Sequence, residues 1–134
     1  MSEYYTDLTC NDVLNCSAED AQILIKALLG EKEAESFDEG TGLRAVHPES
    51  CLAIEVDKRA GRVYFFAERY ADVDQIPDAF LQALGALLRK LGYEFLEFGI
   101  AYTGSKHDPG SHGGGNFRIY QDGSLRWPEQ VWEK

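Results

Sequence analysis

The chain has 134 residues, 44% of them hydrophobic and 12% aromatic, and a net charge of −10 at neutral pH. That length suits a single domain with one sizeable core, and the apolar content excludes intrinsic disorder. No apolar run approaches the roughly 20 residues that a bilayer crossing needs. The start "MSEYYTDLTCND" also lacks the basic-then-apolar pattern of a secretory signal, so the expectation is a cytoplasmic protein.

The negative charge is unevenly spread. Residues 1–39 hold ten Asp/Glu against two Lys, a balance of −8, and the remaining residues carry only −2. A nucleic-acid binder needs a basic stripe that displaces counterions from phosphates, so direct DNA or RNA binding is not expected. Three cysteines, Cys10, Cys16 and Cys51, cannot all pair within the chain and fit a reducing compartment. Cys10, Cys16 and His47 could in principle share a metal, but the cysteine spacing is wider than the usual zinc knuckle. No cofactor or metal is expected, and Cys51 reads as a small buried hydrophobe.

In chain order, "EYYTDLTC" reads as a first strand. "SAEDAQILIKALLG" follows as an amphipathic helix, with Ser17 and Asp20 as a capping box and Ala21, Leu24, Ile25 and Leu28 on one face. "EKEAES" after it reads as a polar helical turn or a loop. "CLAIEVDKRAGRVYFFAER" is a β-hairpin, its apolar residues Leu52, Ile54 and Val56 answered by Val63, Phe65 and Ala67 across a "KRAG" turn. "IPDAFLQALGALLRKLG" is the strongest helix, striped by Phe80, Leu84, Leu87, Leu88 and Leu91, with Pro77 in its first turn and Gly92 as its stop. "YEFLEFGIAYT" is a long aromatic strand, and "NFRIYQDGSLRW" is a closing hairpin that turns at Asp122-Gly123. This order, β-α-β-β-α-β plus a C-terminal β-hairpin, predicts an α+β, ferredoxin-like (split βαβ) two-layer sandwich. Its antiparallel sheet would have two helices on one face.

Three groups of residues are candidates for function. The glycine-rich stretch 102–117, "YTGSKHDPGSHGGGNF", brings together Lys106, His107, Asp108 and His112. Histidines titrate near neutrality, Asp108 could orient one, and Lys106 with successive backbone N–H groups could hold an anion. The glycines match no phosphate-binding motif, however, and an Asp-Pro-Gly turn with a mobile glycine tip between strands explains them equally well. Glu55, Asp57 and Glu68 form a carboxylate group that could do acid–base work, bind a cation or be the solvated face of a sheet. Tyr64 and Phe66 fall opposite the core residues of their strand. With Tyr120, Trp127 and Trp132 they suggest an exposed aromatic interface, unless the C-terminal segment folds back over them.

The function expected from these features is non-enzymatic: a small acidic protein that docks on a basic surface of another protein. An inhibitor, immunity protein or phage-type antagonist of a nuclease or nucleic-acid-handling complex is a concrete form. Glu31, Glu33, Glu35, Asp38 and Glu39 would steer the encounter, and Tyr64 and Phe66 would supply affinity. The rival reading is a small enzyme or ligand- or metal-binding domain built on His107, Asp108 and His112. A second copy pairing at an exposed sheet edge, giving a homodimer, is compatible with either.

Overall fold

The computed structural model describes residues 4–10, 12–30, 43–57, 59–104 and 113–127. Along them the elements are β1 (Tyr4–Cys10), β2 (Leu14–Asn15), α1 (Ala18–Leu29), β3 (Leu43–Val46), β4 (Ala53–Asp57), β5 (Arg62–Ala67), a single 3-10 turn (Val73–Gln75), α2 (Asp78–Leu91), β6 (Phe95–Gly104), β7 (Gly113–Tyr120) and β8 (Leu125–Arg126). The fold is α+β. Eight strands form one sheet in the order β3-β4-β5-β1-β6-β7-β8, with β2 also paired to β5, and every strand pair in it is antiparallel.

The sheet is larger than the sequence led us to expect. β2 and β3 are additions, and the closing hairpin continues the same sheet beside β6. β3 is only four residues long, too short for its alternation to register, though Ala45 is buried and its neighbours Arg44 and Val46 are exposed. β2 resumes the path of β1 after a bulge. Between the pairs Thr9↔Phe66 and Leu14↔Val63 the first strand spends more residues than β5 does, which releases the pairing opposite Tyr64 and Phe65. The glycine triplet also lies elsewhere than expected. Gly113, Gly114 and Gly115 pair with Tyr102, Ala101 and Ile100 as strand, so residues 105–112 alone join β6 to β7.

Both helices form where their apolar periodicity places them. Ser17 caps α1 by accepting from the Asp20 N–H at 3.1 Å. The Asp20 carboxylate does not complete the box; both of its oxygens accept from Lys90 Nζ, at 3.0 and 3.1 Å. Pro77 is the N-cap of α2 rather than a residue of its first turn, and Gly92 ends the helix in the left-handed conformation. Since Asp20 is in the first turn of α1 and Lys90 in the last turn of α2, the helices run antiparallel.

The two helices and alternate strand residues share one core. Leu24, Ile25 and Leu28 of α1 and Phe80, Leu84 and Leu88 of α2 meet Leu8, Ile54, Val63, Phe65, Leu96, Phe98, Phe117 and Ile119 of the sheet. Rings link the layers: Phe80 meets Phe65 edge-on at 6.1 Å, Phe65 is 6.2 Å from Phe98, Phe98 stacks on Phe117 at 5.1 Å, and Phe117 lies 5.2 Å from Trp127. Gly85 lets α2 come down onto the turn before β8. A Cβ there would sit 2.6 Å from the Gln121 carbonyl oxygen and 2.7 Å from the Gly123 nitrogen.

Candidate functional site

The strand residues of opposite parity form a second face, which carries no helix among the described residues. Cross-strand register aligns Arg44, Glu55 and Tyr64 in one row across β3, β4 and β5, and Glu97, Arg118 and Arg126 in another across β6, β7 and β8. Arg44 bonds Glu55 at 3.1 Å, and its guanidinium carbon lies 4.9 Å from the centre of the Phe66 ring. Arg118 donates to Glu97 at 3.0 Å and lies 4.2 Å over Phe95, whose ring is 5.5 Å from Tyr120. Arg126 in turn sits 4.9 Å over Tyr120. Phe66, Phe95 and Tyr120 are therefore each half-buried with a guanidinium over the ring.

Tyr64 and Phe66 lie on this open face of β5, both half-buried, as their parity requires. The carboxylate group disperses into structural roles. Glu55 pairs with Arg44, Asp57 accepts from the turn amides of Arg59 and Ala60 at 3.1 and 3.2 Å, and Glu68 stands exposed. Lys106, His107, Asp108 and His112 fall outside the described residues, as do Glu31, Glu33, Glu35, Asp38, Glu39 and Trp132. α1 ends at its Gly30 C-cap, at the end of the sheet where α2 begins.

No three His, Cys, Asp or Glu side chains gather as a metal site among the described residues. His47 instead serves the β3–β4 turn. Its Nδ1 accepts from the Ser50 N–H at 3.1 Å and lies 2.8 Å from Ser50 Oγ, which accepts from the Leu52 N–H. Cys51 is half-buried rather than buried, and it takes a left-handed backbone at φ 61° within this turn. Burial pushes the Cys10 thiol up to about 12 and the Cys16 thiol to about 11, so neither is a ready nucleophile.

One feature at the Gly30 end escaped the sequence. A cavity of about 220 Å³ is lined by Thr6, Ala71, Asp72, Val73, Asp74 and Trp127. Its wall is firmly held. The Ala71 N–H bonds the Thr6 carbonyl at 3.1 Å, Thr6 N–H bonds Arg69 O at 2.6 Å, and Asp72 N–H bonds Ser50 O at 3.0 Å. Arg69 is left-handed at φ 66°, with its N–H on the Asp7 carboxylate at 2.6 Å, and Tyr70 beside it is 63% exposed. Thr6, residues 71–74 and Trp127 are far apart in sequence, and only the fold brings them together.

Compared with known proteins, the chain matches no family model, and no curated protein or solved structure is significantly similar to it.

Proposed function

We propose that this chain is a small non-enzymatic binding protein that docks on a basic surface of another protein. The observation that carries the reading is the sheet face that has no helix on it among the described residues, where Tyr64 and Phe66 lie half-buried and Arg44, paired with Glu55, sits over the Phe66 ring. Rings and arginines are the side chains enriched in protein interfaces, and a sheet face that had only to meet water would not need them. The sign of the partner follows from the −8 balance of residues 1–39, where Glu31, Glu33, Glu35, Asp38 and Glu39 form the densest run. An inhibitor, immunity protein or phage-type antagonist of a nuclease or nucleic-acid-handling complex fits that chemistry, in a cytoplasmic setting where the three cysteines stay thiols.

We also read the core of the sheet as a split βαβ, ferredoxin-like plan enlarged at both edges. β1 and β4 run parallel with β5 between them, and β5 and β6 run parallel with β1 between them, which supports that plan.

The test is capture of partners from the native lysate at low and then high salt by the wild type, by Tyr64→Ala and by a variant with Glu31, Glu33 and Glu35 changed to Gln. A basic protein held at low salt, released at high salt, and lost in both variants is the expected result. Retention of no basic protein, or retention unchanged by either variant, overturns the reading.

A further inference from the structure

We propose that the cavity between Thr6, Asp72–Asp74 and Trp127 is a receptor for one cationic side chain, the guanidinium or ammonium of an Arg or Lys on the partner. This inference rests on the docking reading above and locates one contact within it. Size is the first argument. At about 220 Å³ the cavity falls below the 300–1,000 Å³ range of sites for drug-sized ligands, yet it can take a single long side chain.

Charge is the second argument. Two of the six lining residues are carboxylates and none is basic. Asp72 Oδ1 already accepts from the Asp74 N–H at 3.2 Å, which leaves its other oxygen for a ligand. The Asp74 carboxylate has no hydrogen bond or ion pair among the described residues. Trp127, half-buried and anchored on Phe117, provides the indole on which a cation is best held beside an aromatic ring. Carboxylates beside an indole favour a cation with an apolar stem over a bare metal ion, which would require a closer set of oxygen ligands.

The third argument is rigidity. The segment carrying both aspartates is bonded to β1 through Thr6 and to the β3–β4 turn through Ser50, so a ligand would have little backbone to order.

The test uses the full chain with Trp132→Phe, which leaves Trp127 as the sole tryptophan, titrated by fluorescence with N-acetyl-arginine amide and N-acetyl-lysine amide. N-acetyl-citrulline amide serves as the neutral isostere, and calcium chloride is a third probe. Saturable responses to the arginine or lysine amide, none to the citrulline amide, and affinity about tenfold weaker in Asp74→Asn would support the proposal. Asp74→Asn is preferred to Asp72→Asn because Asp72 also caps the 3-10 turn, and thermal unfolding checks that the variant is folded. An equal response to citrulline, a response to calcium alone, affinity undiminished in Asp74→Asn, or no saturation would overturn it. Lysate capture with Asp74→Asn separates the two readings. A partner retained as by the wild type sinks this contact alone, whereas no basic partner for the wild type sinks the docking reading even if the amide binds.

Discussion

The two faces of the sheet use the same kinds of ring in opposite ways. On the helix-covered face Phe98 lies flat on Phe117, with ring planes 2° apart, and both are almost fully buried. Three positions away in register, Phe95 and Tyr120 meet at 5.5 Å and are covered by Arg118 and Arg126. Side chains in a strand alternate between faces, so the parity of a position decides whether a ring is sealed in the core or held under a charged group. The inner rings hold the fold together, whereas the outer rings lie half-buried beneath charged groups.

The largest expected effect sharpens that difference. Phe98→Ala should cost about 3–5 kcal/mol, a large share of the roughly 5–15 kcal/mol that holds a domain together. Phe95→Ala, three positions earlier on the other face, should cost less than half as much. Urea unfolding of both variants reads the ratio directly, and equal costs would mean that the open face is as much a core as the covered one. Gly85→Ala comes next, at roughly 1–3 kcal/mol or more, because its methyl group would meet the backbone of Gln121 and Gly123 rather than a side chain that can turn away. A neutral Gly85→Ala would show that α2 can lift from the β7–β8 turn without loss.

Much of this fold was legible in the sequence, for a physical reason. α1, α2, the β4–β5 hairpin and β6 each bury a long regular stripe, and a stripe of four or more residues shows through any local irregularity. β3, with one buried alanine between two exposed residues, has no such stripe. The glycine triplet was misread because glycine says only that the backbone is free; pairing with β6 makes it a strand. Parity alone placed Tyr64 and Phe66 on the open face. The cavity beside Trp127 could not be foreseen, because Thr6, Asp72 and Trp127 converge only through long-range pairing.

A pH experiment probes the covered face through Cys10, which shares the parity of Leu8. Burial raises its thiol to about 12, against the ordinary 9.0, so the folded state holds the proton more tightly than the unfolded chain does. Stability is therefore fully present below pH 9 and is lost as pH rises from 9 toward 12. By pH 10 the loss should be about 1 kcal/mol, seen as a fall in Tm that Cys10→Ala removes. An unchanged pH slope in Cys10→Ala would place that thiol in contact with water.

The smallest expected effect belongs to the open face. Arg44 and Glu55 are joined at 3.1 Å but both are well exposed, at 52% and 38%. A double-mutant cycle of Arg44→Ala and Glu55→Gln should give a coupling of only about 0.2–1 kcal/mol, shrinking as salt is added. Arg44→Ala also uncovers the Phe66 ring. If that ring is a binding surface, this variant should stay folded while its partner affinity changes, so stability and binding would move independently. A coupling of several kcal/mol that resists salt would instead make the Arg44, Glu55 and Phe66 group part of what holds β3 to the sheet, and would leave Tyr64 as the better single probe of docking.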